Sequence, residues 1–137
     1  MLDGIAMLLD GVGDLVFSES AGGNVFVGYM PSTPDRCVAV YSRSGDVPDS
    51  KLPYDPTPFQ IMVRGEQDGV WARATWDAVY SKVHGKRNLT LPDGTYLVFA
   101  LAESAAPLPL GPDENDRARL VGDFTAEIIN ITEERTG

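Results

Sequence analysis

Sulfur and imidazole chemistry are nearly absent from this chain, which has one cysteine, Cys37, and one histidine, His84. A single cysteine excludes an internal disulfide. Cys37 lies in the apolar run Cys37-Val38-Ala39-Val40-Tyr41 and reads as a small buried hydrophobe. The lone His84 is far along the chain, too remote in sequence to suggest a thiol–imidazole pair. It sits beside Gly85, Lys86 and Arg87, where a helix C-terminus suits a basic side chain. Long apolar runs are missing too. None approaches the ~20 residues that span a bilayer, so no membrane partner is expected. Positive charge is scarce, with 11 Lys and Arg against 20 Asp and Glu and a net charge of -9. That excludes a protein that clamps nucleic acid, because phosphate binding needs a positive surface. It is compatible with a surface that nucleic acid slides past.

The familiar catalytic motifs are absent as well. There is no Gly-x-Ser-x-Gly elbow, no phosphate-cradling Gly-rich loop with a lysine, and no helix carrying two metal-binding histidines. No cofactor is expected. Met1 to Gly13 is weakly apolar but carries Asp3 and Asp10, and it lacks the basic leader and cleavage site of a signal peptide. Asn88-Leu89-Thr90 and Asn130-Ile131-Thr132 match the glycosylation pattern. Without a secretory signal both are read as chance.

What is present suits one folded unit over residues 1–137 of ordinary hydrophobic content, 43%, long enough to bury a core without disulfides. Leu2 to Val16 has helical spacing, with Leu2, Ile5, Ala6 and Leu9 on one face and Gly11 and Gly13 weakening its end. Ala21-Gly22-Gly23-Asn24 is a turn. Val25 to Met30 and Arg36 to Ser42 read as strands separated by Pro31-Ser32-Thr33-Pro34-Asp35. Ser44 to Pro58 contains four prolines, which makes it a long irregular loop. Loops of this length are usually functional or disordered, and Leu52 and Tyr54 suggest docking.

Phe59 to Arg64 is the clearest strand, with Phe59, Ile61 and Val63 on one side. A helix is expected from about Gly69 to Val83, capped by Asp68 and stopped by Gly85. Its apolar face is read as Trp71, Ala74, Thr75, Ala78, Lys82 and Val83. Asn88 to Leu91 and Tyr96 to Ala102 flank the hairpin signal Pro92-Asp93-Gly94. Pro107 and Pro109 end or kink the strand that follows. Leu120 to Thr132 alternates, with Phe124, Ala126 and Ile128 on one face, and the last five residues form a polar tail. The fold class is α+β: a mainly antiparallel β-sheet with two principal α-helices packed on it.

The segment Leu110-Gly111-Pro112-Asp113-Glu114-Asn115-Asp116-Arg117-Ala118-Arg119 holds three acids and two arginines, more charge than a turn requires. A calcium loop starting at Asp113 would have oxygen ligands at Asp113 and Asn115. It would then place Arg117 at its fifth position, Ala118 where glycine is needed, and Phe124 where glutamate is needed. No metal site is assigned. Two readings stay open, a solvated turn and a subunit contact built from Asp113, Glu114, Asn115, Asp116 and Arg117. Mixed charge suits interlocking pairs between chains, which set orientation more than affinity. Reversing Asp113, Glu114 and Arg117 is then expected to impair assembly and spare the fold. Trp76 and Tyr80, one helical turn apart, belong either to a core buried on two sides or to an aromatic contact patch. Arg64 completes the candidate interface.

Four stretches together resemble the phage minor capsid proteins that are similar in fold to the tail terminators of long-tailed bacteriophages. They are Leu2 to Leu15; Val25-Phe26-Val27-Gly28-Tyr29-Met30-Pro31 leading to Val38-Ala39-Val40-Tyr41; Phe59-Gln60-Ile61-Met62-Val63-Arg64-Gly65 before a helix; and Leu110 to Arg117 before the last strand. The family leads one to expect a more basic residue and a glycine where Pro112 and Asp116 stand. The resemblance implies a non-enzymatic virion protein that assembles with itself into a ring, typically of six subunits. The ring would cap the head-proximal end of the tail tube, stop tube polymerisation, and join the tail to the head connector. Its expected partners are the tail tube protein and the connector or neck proteins. DNA would only pass through the lumen, and assembly would take place in the host cytoplasm. The alternatives are another neck or head-completion component, or a small ligand-binding or enzymatic unit with the Pro-rich loop as a lid.

Overall fold

The computed structural model describes residues 1–18, 22–45, 47–48 and 50–130. The expected polar tail and the end of the second glycosylation-like triplet lie outside them. Two helices pack on one mostly antiparallel mixed sheet. The elements in chain order are α1 (Leu2–Leu9), β1 (Val25–Val27), β2 (Cys37–Ser42), β3 (Tyr54–Pro56), β4 (Phe59–Gly65), α2 (Val70–Val83), β5 (Lys86–Thr90), β6 (Tyr96–Ala102), β7 (Leu108–Pro109) and β8 (Ala118–Ile129). The α+β expectation therefore holds.

The eight strands run in the order β1-β2-β4-β8-β6-β5, with short β3 and β7 also paired to β8. Among the named strands of the described residues, β1 and β2 alone run parallel, and Phe17 adds a parallel bridge to Val25. β8 is the spine of the sheet. Its 12 residues pair with β4 and β3 on one side and with β6 and β7 on the other.

Register builds the core. Val38 lies opposite Val63 and Val63 opposite Leu120; Val40 lies opposite Ile61 and Ile61 opposite Gly122; Phe59 lies opposite Phe124. Alternation sends these residues to one face, where Ile5, Ala6 and Leu9 of α1 and Ala72, Trp76, Val79 and Val83 of α2 join them in one cluster. The Phe59 and Phe124 rings stack with centroids 4.9 Å apart. No helix among the described residues is long and apolar enough to cross a membrane.

Several boundaries and one face differ from the sequence reading. α1 stops at Leu9 because Gly11 and Gly13 take positive φ, 83° and 54°, which leaves the right-handed helix. The Pro-rich loop contains the edge strand β3, tolerated because Pro56 sits at the rim of the sheet. The buried stripe of α2 is Ala72, Trp76, Val79 and Val83. It shares only Val83 with the expected face. α2 carries apolar residues on more than one side, and the sheet chooses between them. Gly122 leaves a hollow on β8 that the Trp76 indole fills, with an added Cβ at Gly122 falling 1.9 Å from Trp76 Cη2. Trp71 instead lies half-buried over the chain after α1, where its Nε1 donates to Asp14 Oδ2 at 3.2 Å.

Candidate assembly site

The charged segment after β7 forms a tight turn closed by Asp113. Leu110 N–H donates to the Arg119 carbonyl at 3.1 Å and Asp113 N–H to the Arg117 carbonyl at 3.2 Å. Asp113 Oδ1 accepts from the backbone N–H of Asn115 and of Arg117, both at 2.9 Å. Side-chain closure of this kind is how aspartate replaces a backbone turn. Asp116 takes φ 58°, the left-handed conformation that aspartate tolerates better than most residues. It does so where the family resemblance led one to expect glycine.

Arg117 then anchors the turn to another part of the chain. Its side chain is 9% exposed. Nε donates to Asp113 Oδ2 at 2.8 Å, and Nη1 donates to Asp35 Oδ1 at 3.1 Å and to the Ser32 carbonyl. Arg64, itself 3% exposed, holds the same 32–35 segment from β4. Its Nε donates to the Asp35 carbonyl at 3.1 Å and Nη2 to the Pro34 carbonyl at 2.6 Å. Two guanidiniums thus clamp the β1–β2 connection to the 113–117 turn. Planar forks suit this multidentate work better than an ammonium would.

These contacts correct the sequence reading of several residues. Arg64, Asp113 and Arg117 are brought together, but their polar groups are satisfied inside the subunit. Reversing Asp113 or Arg117 is therefore expected to damage the fold rather than spare it. Trp76 is 1% exposed and belongs to the core, so it offers no aromatic patch to a partner. Its Nε1 donates to the Ala105 carbonyl at 3.4 Å. Tyr80 is half-buried and stacks on His84, centroids 4.8 Å apart. His84 Nδ1 accepts from the Ala102 N–H at 2.9 Å, which ties the end of α2 to β6. Of the predicted group, Glu114, Asn115 and Asp116 remain exposed at the tip. Asp35 was missed, since Pro34-Asp35 read only as a strand stop; an arginine closing an otherwise apolar strand, Arg64 at the end of β4, was a signal that something polar must meet it.

Electrostatics supports the turn. The Arg117 backbone N–H is the main cause that holds the Asp113 carboxyl below its ordinary value; burial opposes it, and the Asn115 N–H and the Arg117 guanidinium reinforce it. A carboxylate depressed on folding stabilises the fold above its unfolded pKa of ~3.9, and that contribution is lost as pH falls through the lower folded value. The wild-type protein should therefore lose stability more steeply than Asp113→Asn below about pH 4. Thermal unfolding of both proteins across this range checks it, and parallel curves would remove Asp113 from the account. Cys37 is fully buried, and desolvation raises its thiol pKa, which keeps it unreactive. Among the described residues no group of three or more His, Cys, Asp and Glu is placed to hold a metal ion.

Against known proteins, a family model described as "Bacteriophage tail terminator protein" matches residues 8–129. A solved chain from the virion of a native gene transfer agent (GTA) particle is similar in fold. It is 21% identical with a TM-score of 0.56, over 78% of this chain and 79% of that one. No curated protein matches this chain. With the family model spanning most of its length, the chain belongs to the bacteriophage tail terminator protein family, whose members are structural components of the virion and not enzymes.

Proposed function

We propose that this protein caps the head-proximal end of a phage tail tube as a ring, stops tube polymerisation and joins the tail to the head connector. The observation that carries this reading is the family match over residues 8–129. The geometry agrees with an assembly role. The charged turn is held from behind by Arg117 and Arg64, while Glu114, Asn115 and Asp116 are exposed. A rigid support with a polar tip is suited to setting orientation between chains. A closed ring joins two different faces of each subunit head to tail. The net charge of -9 also fits a channel that DNA crosses quickly, since like charge limits adhesion.

Electron microscopy of virions labelled with an antibody to this chain tests the placement. Label is expected where tail meets head; label on the capsid shell alone, or none, would overturn the reading. A sharper test reverses only Glu114, the exposed acid with ordinary backbone geometry, in Glu114→Lys. Melting should change by no more than about 0.5 kcal/mol, as for ordinary surface sites, while the yield of joined particles falls. Normal yield would return the tip to a solvated turn.

A further inference from the structure

Cations without partners gather at one edge of the sheet. Among the described residues, the side chains of Arg73, Lys82, Lys86 and Arg87 enter no ion pair and no hydrogen bond. Arg73 lies in the first turn of α2. The other three lie together, Lys82 in the last turn of α2 and Lys86 and Arg87 at the start of β5. β5 is the terminal strand of the sheet, and Arg87, Asn88 and Thr90 are exposed along it. The acids around this edge leave it positive. Asp93, in the β5–β6 turn, is paired with the Met1 amine at 3.4 Å. Asp3 is exposed in the first turn of α1. Glu127 stands two strands inward on β8, with Phe99 between it and Arg87. Asp77 lines a hollow on the other side of α2, with Pro107 and Leu120.

The opposite edge is acidic. β1 ends the sheet there, and Phe17 bridges to its Val25. Asp10 Oδ1 accepts the Phe17 N–H at 3.0 Å, and Asn24 Nδ2 donates to the Asp14 carbonyl at 3.1 Å. These bonds hold both acids at the β1 edge, where both are exposed. Their carboxylates accept from neutral donors, the Phe17 amide and the Trp71 indole. Arg36 lies within electrostatic reach of Asp14, Glu66 and Asp68, but Glu66 already binds its Nε through both oxygens, at 2.6 and 2.9 Å. Five strand spacings of ~4.8 Å separate β1 from β5. Along α2, Trp71, which bonds Asp14, and Lys82 are roughly 16 Å apart at ~1.5 Å per residue. The two charged edges are therefore out of reach of each other within one subunit.

Charge and backbone together select the occupant. A second β5 would set Lys86 and Arg87 against their own copies, and like charge opposes that pairing. Asn88, with φ 51°, also interrupts the edge, a break that discourages strand addition. What suits three unpaired cations is an acidic surface, and the β1 edge of another copy is one. We infer that the Lys82, Lys86 and Arg87 edge of one copy docks on the Asp10 and Asp14 edge of the next, head to tail. This rests on the ring reading and supplies the two faces it requires. Two different edges of one chain make a heterologous contact, which closes into a ring when the rotation allows.

Carbodiimide treatment of virions tests it, because the reagent joins a lysine amine to a touching carboxylate as an amide, without a spacer. Mass spectrometry of the digested particles should find Lys82 or Lys86 joined to Asp10 or Asp14, in chains of dimer size and larger. Linkage of these lysines only to Asp3 within one chain, or only to a tube or neck protein, would overturn the contact. A charge swap asks the same question by yield. Lys86→Glu with Arg87→Glu should lower the yield of joined particles by about tenfold, since like charge then meets like charge. Adding Asp10→Lys and Asp14→Lys to the same chain should restore most of it. Thermal melts identify the variants that fold, and among those, normal yield in the first or no recovery in the second would overturn the contact. Virions carrying antibody label at the tail–head junction but lacking the amide link would overturn it too and leave the ring standing. Virions without label there would remove the ring reading itself, and this contact with it.

Discussion

Gly122→Ala is expected to destabilise this protein by about 3 kcal/mol, the upper end of ordinary overpacking, and to lower its melting temperature by roughly 10 °C for a chain of this size. Two opposed effects decide the sign. Gly122 has no positive φ, so in an open strand alanine would gain about 0.5–1 kcal/mol by reducing unfolded-state freedom. Here the new methyl would fall 1.9 Å from Trp76 Cη2 and 2.7 Å from Cζ2, far inside contact distance. Neither partner can yield cheaply. Gly122 lies on β8 opposite Ile61, in the middle of a strand paired on both sides. The indole is 1% exposed, with its centroid 6.0 Å from that of Phe124. Trp76→Ala should cost a similar amount, about 3–5 kcal/mol, by opening a cavity. Combined with a smaller residue, Trp76→Leu, Gly122→Ala should cost much less than the sum of the single changes, because both act on one space. Thermal melts of the wild type, the three single variants and the double variant check this. A Gly122→Ala protein that melts with the wild type would show that the indole is not seated on β8.

Arg117→Ala should cost about 3 kcal/mol, the lower end of the range for breaking a buried ion pair. The lower end applies because the Asp35 side chain is 66% exposed and can return to water. Asp113, 12% exposed, and the Ser32 carbonyl lose their donor. Arg117→Lys should restore only part of this, since one ammonium cannot reach Asp113, Asp35 and Ser32 together. Equilibrium unfolding in denaturant checks both variants, with a lower midpoint and an unchanged slope expected. The loss should be accompanied by faster proteolysis in the 110–117 turn, which then loses the Arg117 tie to Ser32 and Asp35. A change within about 0.5 kcal/mol would class Arg117 with ordinary surface residues.

The two variants mark the boundary between what could be read from residues in order and what could not. Elements with strong local signals were legible. Phe59-x-Ile61-x-Val63 and Phe124-x-Ala126-x-Ile128 showed their buried faces by alternation, and Pro92-Asp93-Gly94 marked the hairpin between β5 and β6. The chain of residues linking Leu2, Ile5, Ala6 and Leu9 showed the inner face of α1. α2 was legible as a helix but not in rotation. Trp71, Ala74 and Ala78 make as good an apolar stripe as Ala72, Trp76 and Val79 when counted by spacing alone. The deciding residue, Gly122, lies 46 positions after Trp76, and nothing local connects them. A glycine inside an otherwise alternating strand was the available hint, because it often marks close approach by another group.

The candidate site divides in the same way. Its acids, arginines and turn geometry were visible in one ten-residue segment. That Arg117 would reach inward to Asp35 and Ser32, more than 80 positions away, was not. Mixed charge in a turn is equally consistent with pairs inside a subunit and pairs between subunits.

Taken by itself, the amino-acid sequence determined the α+β class, the alternating core faces, the buried Cys37 and the resemblance to tail terminators. Each of these depends on composition, on short-range periodicity or on the order of segments along the chain. Only the tertiary structure decided which side of α2 is buried and which charges are satisfied internally. Those outcomes depend on distances between residues far apart in sequence, and the packing of the sheet sets those distances.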